Sequence, residues 1–291
     1  MIEPNTIQHF LSPSGIRLTA ADTTEAVRTA CRIHHMRPLS ASVLGKAMTA
    51  AAILANDFKN HEGVSLKMLT DGPSGPVYAD AYEGRYLRGY TEHPEAGAAC
   101  PDDEKGVITG AGQLIVTRYS LLRQPYTSAV NLWPGDVSDV ISAYLNLSEQ
   151  VLSSVRLEVL FDGKGRVVHA GGIMAQLMPE GDREKMASLF RKTEEWQLFH
   201  PEKSKDPGQA EFESLWKKEF IPLYQSPVSF RCTCSLEHIR HNLSLLPAQE
   251  KESLLKDSSI EIVCHYCGRK YEISRETLNQ WFHEQRKGDV S

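Results

Sequence analysis

Phe230-Arg-Cys-Thr-Cys-Ser-Leu-Glu237 and Ile260-Glu-Ile-Val-Cys-His-Tyr-Cys-Gly-Arg-Lys-Tyr271 are the stretches on which the reading of this 291-residue chain turns. They hold four of its six cysteines, Cys232, Cys234, Cys264 and Cys267, with 264 − 234 − 1 = 29 residues between the two pairs. In a reducing compartment a late cluster of four thiols reads first as a metal site. Two closely spaced pairs brought together by the fold suit tetrahedral coordination by four thiolates, and a compact all-thiolate set favours zinc over other soft metals. The bland alternative is four unliganded core thiols. Ile260 and Ile262, then Tyr271 and Ile273, predict two short strands around the second pair, with Gly268 easing the turn. A closed four-thiolate site leaves no position for water, so the zinc is expected to be structural rather than hydrolytic. A module of about 60 residues is marginal by burial alone. Structural zinc contributes on the order of 10–16 kcal/mol of apparent folding free energy, so metal loss should unfold the module. A disulfide across Cys232-Thr-Cys234 would close a small strained ring, and strained bridges are labile, which hints at redox function.

Upstream, up to about residue 179, helix and strand signals alternate. Asp22-Thr-Thr-Glu25 predicts a capping box, with Asp22 accepting from backbone N–H groups and Glu25 reaching back. Behind it Val27, Ala30, Cys31 and His34 recur at helical spacing. Ser42–Phe58 is Ala-rich, with Val43, Ala47, Ala51, Leu54 and Phe58 marking a buried helical face. Val64, Leu66 and Met68, the turn Asp71-Gly-Pro-Ser-Gly75, and Val77, Ala79 and Ala81 predict a hairpin that Tyr86–Tyr90 extends. Further strands are expected at Gln113–Thr117 and Tyr126–Leu132. Asp136 predicts the cap of a helix whose face is Val137, Val140, Ile141, Tyr144 and Leu145. Val155–Phe161 and Val167–Leu177 flank the turn Asp162-Gly-Lys-Gly165. Strand runs joined by hairpins point to an α+β core domain over residues 1–179, a largely antiparallel sheet with packed helices.

Composition shifts after Pro179. From Glu180 to Arg231 there are 9 Lys/Arg and 10 Asp/Glu, a density above the chain's 24% charged residues. Met186, Leu189, Phe190, Trp196 and Phe199, then Phe212, Leu215, Trp216 and Phe220, recur at steps of three and four. Residues 180–229 therefore read as a charged amphipathic helical linker whose order depends on a surface to pack against. Residues 230–291 form the C-terminal zinc module, with a helix between the thiol pairs and an amphipathic end carrying Leu278, Trp281 and Phe282.

Composition narrows the function classes. Lys plus Arg is 32 and Asp plus Glu is 37, a formal net charge of −5, which argues against general nucleic-acid or anionic-membrane binding. The sequence carries no apolar run of membrane-spanning length and no secretory signal at Met1-Ile-Glu-Pro-Asn-Thr-Ile, so a cytoplasmic protein is expected. Gly163-Lys-Gly165 and Gly171-Gly172 lack P-loop or dinucleotide spacing, and Ser148-Glu-Gln150 is no nucleophile elbow. Cys31 reads as a small buried hydrophobe and Cys100 as a loop thiol. His34-His35 has no partner cluster at ligand spacing, and His265 reads as solvent-facing rather than as a fifth ligand.

The two cysteine stretches closely resemble the 33-kDa heat-shock protein family, the redox-regulated holdase chaperones. Leu44-Gly45 with its Ala-rich helix, Asp71-Gly-Pro-Ser-Gly75, Arg88-Gly-Tyr90, Tyr144 with Ser148-Glu-Gln150, and Gly171-Gly172 with Gln176 and Pro179 fall in that family's order. The resemblance thus covers nearly the whole chain. Two departures are His238, where the family often has Lys or Arg, and Arg118-Tyr-Ser-Leu121, which replaces a stretch usually containing Asp and Gly. Neither touches a thiol. The resemblance implies a non-enzymatic, ATP-independent chaperone that holds one Zn2+ per chain on the four cysteines when reduced and is then inactive. Oxidants such as hypochlorite, or peroxide with heat, would join Cys232 to Cys234 and Cys264 to Cys267 and expel the metal. The linker would then unfold and bind unfolding client proteins, commonly in a homodimer, without nucleotide, nucleic acid or membrane. Trp196, Phe199, Phe212 and Trp216 are the expected client contacts, apolar groups set among abundant charge. The alternatives are a zinc-ribbon nucleic-acid-binding protein, which would need a basic aromatic face, and an enzyme with a structural zinc, for which no acid/base or nucleophile constellation is visible in the core.

Overall fold

The computed structural model describes residues 3–55, 61–97, 110–120, 123–195 and 218–288. It divides into two compact units, Met1–Arg231 and Cys232–Ser291.

The first unit is built on two antiparallel sheets around a buried helix. β1 (Thr6–Leu11) and β2 (Ile16–Asp22) form a hairpin, followed by α1 (Thr24–Ile33) and α2 (Pro38–Leu54). Then come β3 (Glu62–Thr70), β4 (Val77–Tyr82), β5 (Tyr86–Thr91), β6 (Gly112–Ser120), β7 (Arg123–Leu132) and α3 (Val137–Leu147). β8 (Ser153–Phe161) and β9 (Val167–Leu177) make the hairpin predicted around Asp162–Gly165. α4 (Arg183–Glu195), β10 (Ile221–Pro227) and the two-residue β11 (Ser229–Phe230) follow among the described residues of the unit. One sheet runs β10-β1-β2-β9-β8 and the other β11-β5-β4-β3-β6-β7; among these pairings only β11–β5 is parallel. The expected α+β class with largely antiparallel sheets is the observed one.

Burial explains which patterns the residues show. In the second sheet β5 alternates buried and half-buried positions, as a sheet with one face on the core does. β2 and β9 are buried almost continuously, because both faces of their sheet are covered. One face meets α2; on the other, Phe10, Ile16, Leu18, Ala20, Ile173 and Ala175 pack with Met186 and Leu189 of α4 and with Phe220. α2 is buried on nearly every side, not on one face alone, and packs against strands of both sheets. Gly45 permits this: a Cβ there would lie 2.7 Å from Val159 Cγ2 and 2.9 Å from Val27 Cγ1. Phe58, predicted at the end of this face, lies outside the described residues.

Local signals also resolve. Asp22 accepts from the Thr24 N–H at 3.0 Å, but Glu25 pairs with Arg28 at 2.6 Å instead of closing a capping box. Asp136 caps α3 by accepting from Ser138 N–H at 2.7 Å, and it also receives Lys46 Nζ from α2. Burial works against the Asp136 carboxylate, yet Lys46 and Ser138 hold it below the usual range. This carboxylate therefore stabilises the fold above the unfolded value of about 3.9, and the contribution is lost as pH falls through the lower folded value. The Lys46 side chain is 8% exposed. Lys46→Met should cost about 3 kcal/mol, the low end for stranding one partner of a buried pair. Urea unfolding at pH 7 checks this, and the deficit should shrink in acid.

Within residues 180–229, read from sequence as helical, Arg183–Glu195 is a helix whereas Ile221–Pro227 is a strand paired with β1. Pro222 and Pro227 read as punctuation in the sequence, but β10 lies at a sheet edge, where proline is tolerated. No helix among the described residues is long and apolar enough to cross a membrane.

Candidate metal centre

The second unit contains α5 (Leu236–Ser244), α6 (Ala248–Leu254), β12 (Ser259–Val263), β13 (Lys270–Ser274) and α7 (Arg275–Gly288). Where the sequence predicts one helix between the thiol pairs there are two, separated at Pro247, which cannot continue α5. Ser235 caps α5, its Oγ accepting from His238 N–H at 3.2 Å. That cap ends the extended Cys232-Thr-Cys234 segment. β12 and β13 pair antiparallel, Val263 opposite Lys270, and carry the second thiol pair on the connecting turn. The turn is closed by Gly268 N–H donating to Cys264 O at 2.8 Å and Cys264 N–H donating to Arg269 O at 2.9 Å. Gly268 has φ +68°, a left-handed conformation that glycine adopts without a Cβ clash.

These elements bring the four predicted ligands together: the Sγ atoms of Cys232, Cys234, Cys264 and Cys267 all lie within 4.8 Å of one another. Cys232 Sγ is 3.7 Å from Cys264 Sγ, and Cys234 Sγ is 3.4 Å from Cys267 Sγ. Four sulfurs at about 2.3 Å from a central zinc would stand about 3.8 Å apart along tetrahedral edges. The donor set therefore fits a tetrahedral soft metal. The exposed His265 is not part of the cluster.

The thiols differ in acidity. Burial opposes the Cys234 thiolate, but hydrogen bonds from Tyr271 and from the Cys267, Cys232 and Cys264 thiols outweigh it and bring it down to about 7. Burial, backed by the neighbouring thiols, pushes Cys267 up to about 12 and also raises Cys232. Four thiolates within 4.8 Å of one another would need a cation to balance their charge. Burial pushes Cys31, packed against the main core cluster, up to about 12, which leaves it inert as a thiolate.

The sequence reading of Tyr271 as a strand residue missed its contact with the centre. Its hydroxyl donates to Cys234 Sγ at 3.2 Å. Partners of this kind orient metal ligands, and their loss typically costs about 10–100-fold in affinity. Tyr271→Phe should weaken metal binding at this centre by that factor with the module still folded; competition against a chromophoric chelator measures it.

Among the described residues of this unit only Ile273, Leu278 and Phe282 are buried apolar side chains, with Ile239, Leu243, Leu254, Leu255, Ile260, Ile262 and Trp281 partly buried around them. Three such side chains contribute roughly 5–9 kcal/mol at about 1.5–3 kcal/mol each, which ordering a handful of residues already offsets. Burial alone leaves this unit marginal, a deficit that a metal held on the four thiols would offset. The expected client contacts Trp196, Phe199, Phe212 and Trp216 lie outside the described residues, as does Cys100.

Comparison with known proteins agrees with this architecture. The family described as Hsp33 protein matches residues 5–274. A 33 kDa chaperonin of Desulforamulus reducens is 31% identical, over 94% of this chain and 95% of its own. One from Thermus thermophilus is 31% identical, over 94% of this chain and 85% of its own. The crystal structure of a 33 kDa chaperonin (heat shock protein 33 homolog) from Thermotoga maritima superposes with a TM-score of 0.81, covering 98% of this chain and 100% of that one. At 24% identity this last likeness shows the fold. With a family match across nearly all of the sequence and curated relatives of equal span, the chain belongs to the Hsp33 family of non-enzymatic chaperonins.

Proposed function

We propose that this chain is a redox-regulated, ATP-independent holdase whose switch is the four-cysteine centre. Reduced, it carries one Zn2+ on Cys232, Cys234, Cys264 and Cys267 and is inactive. The observation that carries this reading is the convergence of four sulfurs, at tetrahedral spacing, in a unit with a minimal apolar core. Bound zinc would supply charge balance and folding free energy.

Oxidation removes both. Two thiols give up two electrons and two protons and form one S–S bond; hypochlorous acid accepts the electrons, its O–Cl bond breaks, and chloride and water leave. Two equivalents make two disulfides, Cys232–Cys234 and Cys264–Cys267. Disulfide sulfurs no longer serve as thiolate ligands, so zinc leaves and the module loses its stabilisation. The working organisation is then threefold: core 1–179, linker 180–229 and redox module 230–291. The linker opens and presents Trp196, Phe199, Phe212 and Trp216 to unfolding clients, with nearby charge keeping the complex soluble. The active form is a cytoplasmic homodimer that uses no nucleotide and binds neither nucleic acid nor membrane.

Peptide mapping after stoichiometric hypochlorite tests the chemistry. The proposal requires within-pair disulfides. The S···S approaches of 3.7 Å and 3.4 Å run across the pairs, so predominance of Cys232–Cys264 and Cys234–Cys267 would contradict it. A variant with Trp196, Phe199, Phe212 and Trp216 all replaced by Ser should bind zinc normally yet lose most of its aggregation suppression after oxidation, read by light scattering.

A further inference from the structure

The segment just before the first ligand is stitched to both sheets. Phe220 is buried with the α4 cluster, and β10 pairs with β1 at the edge of one sheet. Val228, buried in the main core, donates its N–H to Asn5 O at 2.8 Å. One residue later the chain enters the other sheet. Ser229 N–H donates to Arg85 O and Arg231 N–H to Leu87 O, each at 2.9 Å, and β11 runs parallel to β5. Tyr82 donates its hydroxyl to Arg231 O at 2.7 Å, and the Arg231 guanidinium lies 4.6 Å from the centroid of the Tyr86 ring. The compact unit ends at Arg231, and Cys232 follows directly.

We propose that residues 220–231 are a seam that stops metal-dependent unfolding at Arg231, so that opening of the zinc module does not spread into the core sheets. This rests on the switch proposed above and narrows it: the opening linker ends before Phe220 and the unfolding module begins at Cys232. Buried anchors at Phe220 and Val228 and backbone bonds into two sheets must break together for the seam to lift. Local opening follows such cooperative units rather than the sequence ruler. In consequence the part of the linker free to reach clients ends before Phe220, and β10, although sequence-adjacent to the redox module, stays with the core. Tyr82 and Tyr86 hold Arg231, the last residue of the seam.

Amide hydrogen exchange on the full chain, reduced with zinc and after chelation, tests the seam. Module amides bonded within the thiol turn, Cys264 and Gly268, should lose about a thousandfold or more of their protection. The Val228, Ser229 and Arg231 amides should stay within about tenfold of the zinc-loaded protein. Seam amides that exchange as fast as those of the module would overturn the inference. Should the module amides stay protected after chelation, the proposed switch fails; urea is then raised until they exchange freely, and the seam is judged at that point by the same criterion. A Tyr82→Phe, Arg231→Ala double variant supplies the converse. It should match the unmodified chain when zinc is bound and lose protection of the backbone amides at positions 229 and 231 only when the module is open. Equal protection in the open state would remove the lock from the account.

Discussion

Chelating the metal from the reduced protein should unfold Cys232–Ser291 while the two core sheets and residues 220–231 remain folded. Zinc in small structural sites contributes about 10–16 kcal/mol of apparent free energy at neutral pH, comparable to the whole stability of a typical domain. The module has little to set against that loss, since Ile273, Leu278 and Phe282 are its buried apolar side chains among the described residues. The first unit has two apolar clusters, one centred on α2 and one beneath α4, and neither contains any of the four clustered thiols. Near-ultraviolet circular dichroism at Trp281, together with resolved NMR shifts for β12 and β13, should collapse on adding chelator and recover with zinc. Acid should act in the same direction, because four protons compete with one cation for the sulfurs and apparent metal affinity falls with pH. A chelated module that keeps native shifts would show that burial alone suffices.

Replacing a single ligand should have an effect almost as large. Cys264→Ser leaves three thiolates and an alcohol at a site whose sulfurs stand within 4.8 Å of one another. Zinc affinity should fall by several orders of magnitude, since the hard hydroxyl replaces a soft thiolate and the tetrahedral set is broken. On the proposed switch this variant, kept fully reduced, should suppress client aggregation at least partly without oxidant. Cys31→Ser should leave zinc affinity, oxidant response and client protection unchanged, because Cys31 packs against the core and burial holds its thiol protonated. Titration with a chromophoric chelator and light scattering of a thermally unfolding client separate the two variants.

The centre was legible in the sequence because ligand spacing is local: Cys-x-Cys and a hairpin around Cys-x-x-Cys each act over a few residues. α3 was legible for the same reason, its predicted face of Val137, Val140, Ile141, Tyr144 and Leu145 matching its buried residues in full. What escaped was set by tertiary context. β1 and β2 are covered on both faces, which erases the alternation that marks a strand. α2 is enclosed, so its burial is wider than its pattern of larger side chains suggests. β10 hides behind two prolines that an edge strand accommodates, and the stitching of residues 220–231 depends on Asn5, Arg85 and Leu87, far away in sequence. Tyr271 reaches Cys234 across 37 positions through the β12–β13 register, a contact no local spacing encodes.

The claim that the four-cysteine centre clamps an inactive form is tested most directly by following zinc and client protection in the same samples. Purified reduced protein is titrated with hypochlorite, released metal is read with a chromophoric chelator, and aggregation of a heat-unfolding client is read by light scattering. The account predicts about one zinc per chain at the start, no protection before oxidant, and protection that rises in step with metal release. Reduced protein that is metal-free, or that protects clients equally before and after oxidation, would contradict it.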